Sequence, residues 1–214
     1  MNSALTKLLG VSSDALLPLW GNADAKLLEA LGEIPVSLLD LLRCKNGFFA
    51  FESALHVYPL GCSSSSLDLV QWNEPRGWRY EYGDLLGMPV IFFAQDIFGN
   101  QFGISDQAVF LFYSEFAEIE PVAKNLDDWA DVFLSDWKGL SGFDLAHEWQ
   151  IQNRPVTEGE RLIPKIPFVV GGKYDLTNLY AGRIMAAMRF RGSLARQLAK
   201  IPNGTPISLQ IKNL

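Results

Sequence analysis

The stretch MPVIFFAQDIFGNQFGISDQAVFLF, Met88 to Phe112, leaves this chain the least choice of fold. Pro89 to Ala94 is apolar at nearly every position, the pattern of a strand buried on both faces. Asp96-Ile97-Phe98-Gly99 puts Asp at the first and Gly at the fourth position of a type I turn. Such a turn, with Gly99 at positive φ in a bulge, joins antiparallel strands. Phe102 and Ile104 begin the return limb, and Ser105-Asp106-Gln107 makes a second turn. Ala108 to Tyr113 is a third limb, again almost wholly apolar. A three-stranded meander this apolar belongs at the centre of a fold, covered on both sides.

Upstream, the first 20 residues are weakly patterned. Ala23 to Leu31 reads as a short helix capped by Asn22. Pro35 opens a second helix, which buries Leu38, Leu39, Leu41 and Leu42 and stops at Asn46-Gly47 in a left-handed conformation. Phe48 to Leu60 is a strand pair turning near Ser53, and Ser66 caps a short helix LDLVQW. Asn73 to Gly87, with Trp78, Tyr80 and Tyr82, reads as an irregular surface connection.

Downstream, Ser114 to Lys124 is acidic and reads as irregular. Leu126 to Lys138 is the clearest helix, with Asn125 as its N-cap and Asp127 and Asp128 in its first turn. Its apolar face, Leu126, Trp129, Ala130, Phe133, Leu134 and Trp137, is expected on the sheet of Phe92 and Phe110. Gly142 to Asn153 is a further helix. In RLIPKIPFVVGG a strand is expected over Phe168 to Val170, then a Gly-Gly turn. Tyr180 to Ala199 is mainly helical, with a division at Gly192-Ser193, and PISLQI is a final strand. The class is α+β: a mostly antiparallel central sheet with helices packed on it, in one domain spanning 1–214.

Chemistry leaves few marks. The only cysteines are Cys44 and Cys62 and the only histidines His56 and His147, which fits a reducing compartment and no metal or cofactor. His147 in LAHEW resembles half of a zinc helix, but the second His would have to stand at Ile151. No G-x-S-x-G is present, Gly99 and Gly103 lack the third glycine of a dinucleotide turn, and Gly171-Gly172-Lys173 lacks the rest of a phosphate loop. No apolar run approaches the roughly 20 residues of a membrane span, and no signal pattern opens the chain, so a cytoplasmic protein is expected.

Charge is more informative. Residues 1–150 carry 21 acidic and 8 basic side chains, and residues 151–214 carry 3 and 10. The two regions either attract each other within the fold or present an acidic surface to a basic partner. Between Glu115 and Asp136 seven acids face one Lys. Glu115, Glu118 and Glu120 lead into a helix whose outward arc carries Asp127, Asp128 and Asp131, a face suited to a basic protein. Asn100 and Gln101 are expected as exposed amides available for recognition. Asp96 is expected to accept backbone N–H groups in its own turn. The basic residues of the C-terminal region are too spread to form a nucleic-acid footprint.

FFAQDIFGNQF, with Asn-Gly after the leucine-rich LLDLLRCKNG, resembles the SUKH superfamily, which includes fungal cell-wall synthesis regulators, the bacterial protein Syd and many immunity proteins of bacterial toxin systems. The resemblance runs from about residue 31 to 137, with 138–214 as a C-terminal extension. Its tail, RLIPKIPFVVGGKYDLTNLYAGRIMAAMRFRG, looks like that of longer bacterial members. It implies a non-catalytic immunity protein that binds and neutralises a cognate toxin, such as a nuclease. A regulatory or scaffold protein of the same superfamily and an uncharacterised enzyme using Asp96 with a histidine are the alternatives.

Overall fold

A computed structural model describes residues 2–19, 32, 34–61 and 67–202. The expected helix over 23–31, the serine loop with Ser66, and the expected strand over 206–211 lie outside the described residues. Six strands form one antiparallel meander in chain order: β1 (Phe48–Ala50), β2 (Leu55–Val57), β3 (Ile91–Gln95), β4 (Gln101–Ser105), β5 (Ala108–Tyr113) and β6 (Glu118–Ala123). The predicted central limbs are β3, β4 and β5. The turns after β1, β3 and β5 therefore share one end of the sheet.

Gly99 takes φ +82, as the turn requires, and its N–H reaches Asp96 O at 3.3 Å. A Cβ there would intrude on the Ile184 side chain and lie 3.0 Å from Arg191 Nη1. Gly99→Val thus adds left-handed strain to overpacking, and a loss of about 2 kcal/mol or more is expected in the denaturation midpoint. A midpoint equal to that of the unsubstituted protein would rule this out.

Adjacent Phe92 and Phe93 serve opposite faces of β3. Phe93 meets Trp129 at 5.1 Å between ring centroids, while Phe92 lies 5.3 Å from Trp78 and 5.6 Å from Phe112. Helix α5 (Leu126–Ser135) covers the first face; the pairs Trp129–Phe102 and Phe133–Phe102 are each 5.7 Å apart. The helix thus packs on Phe93 and Phe102, not on Phe92 and Phe110. Asn125 Oδ1 caps it by accepting Asp128 N at 2.8 Å. It ends at Ser135 rather than Lys138. Asp136, at φ −138 and ψ 47, leaves the helical region, and its carboxylate caps the next helix, α6 (Trp137–Ser141), from Gly139 N at 3.2 Å. Trp137 then stacks on Phe51 at 4.6 Å instead of continuing the buried stripe.

Helix α1 (Ser3–Val11) lies beside α5, burying Ala4, Leu5 and Leu8. Helix α2 (Val36–Cys44) buries Leu38, Leu41 and Leu42 of the four expected leucines, and Leu39 is half-buried. Gly47 alone is left-handed after it (φ +71); Asn46 bonds both N–H and C=O of Leu60 at 2.8 Å.

The second face holds the largest correction. Asn73 to Gly87 is a buried aromatic layer, not a surface connection. It follows α3 (Leu69–Trp72), capped by Asp68, and carries α4 (Arg79–Tyr82) and a 3-10 turn. Trp72, Trp78 and Tyr82 are wholly buried, each with its polar tip bonded: to Gln101 Oε1 at 2.8 Å, Trp72 O at 2.8 Å and Ser114 O at 2.6 Å. Tyr80 is exposed. Likewise Ser114 to Lys124 is not irregular throughout: β6 is an edge strand whose Glu118, Glu120 and Pro121 discourage pairing with another chain.

The last third closes the turn end of the sheet. Helix α7 (Phe143–Gln152) precedes a two-stranded ladder, β7 (Glu160–Pro164) with β8 (Leu179–Arg183), and helix α8 (Ile184–Leu198). The expected strand over Phe168 to Val170 is a 3-10 turn, and the strand lies earlier, at β7. Helix α8 runs through Gly192-Ser193 unbroken. A Cβ at Gly192 would lie 2.7 Å from Glu81 Cβ and 2.8 Å from Tyr82 Cδ2, so glycine there lets α4 approach. A second apolar cluster joins Ile97 and Phe98 of the β3–β4 turn to Ala146, Trp149, Val156, Leu162 and Leu179.

Candidate functional site

At the turn end the chain encloses a cavity of about 190 Å³. Its walls come from the β3–β4 turn (Asp96, Phe98, Asn100), the end of β5 and its turn (Leu111, Tyr113, Ser114, Glu115, Phe116), α6, the segment around Phe168 and Tyr174, and Arg191 of α8. Antiparallel pairing brings the first two groups together, and the C-terminal extension supplies the remainder.

Asp96 behaves as the turn chemistry predicts. Its Oδ1 accepts Phe98 N and Asn100 N, both at 2.8 Å, and its Oδ2 accepts Asn100 Nδ2 at 2.7 Å. Burial raises its pKa to about 6 against the pull of these donors and of Arg191. Above that pH the carboxylate is mostly ionised within a nearly dry wall. Arg191 is 2 % exposed along its side chain; Nη1 donates to Phe98 O at 2.6 Å and Ser114 Oγ at 3.0 Å. Its Nη2 stands 3.6 Å from Glu115 Oε1, an ion-pair contact too long for a hydrogen bond, and that oxygen has no donor. The other Glu115 oxygen accepts Val169 N at 3.1 Å.

The eight residues expected to meet a partner divide into two groups. Asn100 and Glu115 line the cavity, and Gln101 does not. Glu118 and Glu120 pair across the ladder with Tyr113 and Leu111, and both carboxylates are exposed on the cavity's side of the sheet. Burial, and then the carboxylates of Glu120, Asp96 and Glu118, hold the Tyr113 phenol above its ordinary pKa. Asp127, Asp128 and Asp131 sit apart on α5. Asn2 N donates to Asp127 Oδ1 at 2.7 Å and Asn2 Nδ2 to Asp131 Oδ2 at 2.8 Å, so two of the three tie down the N-terminal helix. Asp128 is exposed.

Three of these expectations need correction. Gln101 is not an exposed amide: it is wholly buried, with Oε1 accepting Tyr58 OH at 2.9 Å and Trp72 Nε1 at 2.8 Å. Asn100 is half-buried, its Oδ1 accepting Ser114 N at 3.1 Å. Glu115 is 4 % exposed rather than part of a solvated face. Polarity alone does not show that Tyr58 and Trp72 enclose Gln101, or that Arg191 and Val169 of the last third enclose Glu115. Arg191 went unnoticed among the bases of the tail; its one signal was an isolated Arg in the apolar spacing of α8.

Gln101 also belongs to a buried polar row across the sheet, His56, Gln95 and Gln101, paired in register. Gln95 Nε2 lies 3.2 Å from His56 Nδ1, and burial followed by the Arg161 charge keeps His56 well below its ordinary pKa. Arg161 is wholly buried; Nη1 donates to Glu160 O at 2.6 Å, while Nε and Nη2 have no acceptor. Burial lowers its pKa to about 10. His147 lies on α7 with Nδ1 2.8 Å from Glu52 Oε2. Among the described residues no three His, Cys, Asp or Glu side chains are grouped to hold a metal, and no helix is long and apolar enough to cross a membrane.

A wider groove of about 1310 Å³ lies at the other end of the sheet, by Ser105, Asp106 and Gln107. None of the buried unpaired polar atoms among the described residues belongs to its walls, so the smaller cavity is the better candidate.

No family model matches the sequence, and no curated protein matches it. Among solved structures, the crystal structure of Atu4351 from Agrobacterium tumefaciens is similar, with a TM-score of 0.56 and 13 % identity over 86 % of each chain. At that identity the likeness concerns the fold alone.

Proposed function

We propose that this protein acts by binding, holding a basic protein against the acidic turn end of its sheet. The resemblance to the SUKH superfamily makes a cognate toxin, neutralised by occlusion, the partner to seek. The observation that carries the reading is one cavity walled by Asp96, Asn100 and Glu115, with the exposed Glu118 and Glu120 on the neighbouring edge strand opposite its Tyr113 and Leu111. The only Lys or Arg lining it is Arg191, whose Nη1 serves Phe98 O and Ser114 Oγ and whose Nη2 faces Glu115 at 3.6 Å. Like charges held together on a rigid edge are tolerable where they steer an oppositely charged partner.

The test is association with the product of the neighbouring toxin gene. Glu118→Lys with Glu120→Lys, both on an exposed strand edge, is expected to slow association by ~10-fold at low salt. The rate for the unsubstituted protein is expected to fall as the Debye length shrinks from ~30 to ~8 Å. Circular dichroism first establishes that the variant is folded. Equal rates for the two proteins at every ionic strength, or no complex with that gene's product, would overturn the proposal.

A further inference from the structure

We infer that the cavity at the turn end is a socket for one cationic side chain, Lys or Arg, presented by the basic partner. The inference rests on the binding reading above and specifies its central contact. Size comes first. A cavity of about 150 Å³ admits a benzene molecule, so about 190 Å³ suits a long side chain and is small for most cofactors.

The walls favour a cation on two counts. Aromatic rings surround the space: Phe168 and Tyr174 stack with centroids 3.6 Å apart, and Phe98 stands edge-on to them at 5.8 and 6.0 Å. Tyr113 and Phe116 complete the wall. Rings of this kind attract an ammonium or guanidinium over their faces, by about 2 kcal/mol or more once water is excluded. The exposure of Phe116, 45 %, and of Tyr174, 60 %, leaves aromatic surface at the rim to be covered by a partner.

Acceptors outnumber donors in the same walls. Carboxylates surround both phenols: Glu120, Asp96 and Glu118 raise the pKa of Tyr113, and Glu115 and Asp96 that of Tyr174, in each case after burial. Glu115 Oε1 is the one buried carboxylate oxygen among the described residues that lacks a donor. Arg191 offsets part of this charge, but its Nη1 already serves Phe98 O and Ser114 Oγ. An anionic ligand would meet Asp96 and Glu115, and the one base in the wall, Arg191, is already set against Glu115 at 3.6 Å; a cation meets acceptors and ring faces.

The test uses the full chain and Nα-acetyl-arginine methylamide as probe, with the citrulline analogue as an uncharged control of the same shape. Titration followed by NMR is expected to show saturable arginine binding, with citrulline at least 10-fold weaker. Tyr174→Ala, at an exposed ring, is expected to weaken the arginine probe about 10-fold without moving the thermal midpoint by more than a degree or two. The same variant is expected to raise the partner's dissociation rate by a similar factor. Equal affinity for arginine and citrulline, absence of saturable binding, or indifference to Tyr174→Ala overturns the socket. A partner dissociation rate unchanged by Tyr174→Ala also overturns it, while leaving salt-dependent association intact. If the probe binds as expected but no partner responds to Glu118→Lys with Glu120→Lys, the binding-protein reading fails, and the socket stands for a free guanidinium ligand.

Discussion

Trp129→Ala is expected to lower stability by about 3–5 kcal/mol, read as a shift in denaturant midpoint at unchanged m-value. Trp129 has no exposed surface and stands among Phe93, Phe102 and Phe133 at 5.1, 5.7 and 5.6 Å. Those rings belong to β3, β4 and α5 itself, so a truncated side chain opens space that no single element can move to fill. Its Nε1–H has no acceptor, which subtracts from the native contribution of the indole. Trp129→Phe, which keeps a ring and removes that donor, is therefore expected to recover most of the loss. A soluble Trp129→Ala protein with an unshifted midpoint would mean that α5 does not cover this face.

Arg191→Leu is expected to cost a comparable 3–5 kcal/mol or so, for an electrostatic reason. The substitution strands Glu115 at 4 % exposure with no cation, and it deprives Phe98 O and Ser114 Oγ of their 2.6 and 3.0 Å donors. Arg191→Lys is expected to restore little, because an ammonium does not present a planar fork to Phe98 O and Ser114 Oγ while facing Glu115. Pairing Arg191→Leu with Glu115→Leu removes the stranded charge, so the double variant is expected to be more stable than Arg191→Leu alone. If Arg191→Leu shifts the midpoint by less than about 1 kcal/mol, the pair is not holding the C-terminal extension to the sheet.

The parts of the fold legible in the sequence were those decided by local chemistry. Gly99 at the end of its turn, Asn125 at its cap and the apolar runs of β3 and β5 depend on neighbours a few residues away. Asp136 was missed because it extends an amphipathic pattern that its backbone interrupts, and its carboxylate serves the following helix. Trp78 and Tyr82 read as surface residues since polar residues lie between them, although tertiary bonds satisfy each ring's polar atom. The site divides in the same way. Glu118 and Glu120 are legible as exposed acids, whereas the burial of Gln101 and Glu115 depends on residues far along the chain, Tyr58 and Arg191. The two hypotheses about charge both find residues to support them: Arg191 draws Glu115 inward, and Glu118 and Glu120 stay outside.

The closure of the turn end by the last third has a consequence for the order in which the protein matures. The strands of the meander are complete once Ala123 has been made, but Ile97 and Phe98 wait for Leu162 and Leu179, and Ser114 and Glu115 wait for Arg191. At roughly 5–20 residues per second of synthesis, the interval between Asp96 and Arg191 is on the order of ten seconds. During that interval the sheet can assemble while its turn end stays unfinished, with Ile97 and Phe98 uncovered. A nascent or truncated chain would therefore hold the sheet without the closed cavity, and only a chain that reaches Arg191 would carry both.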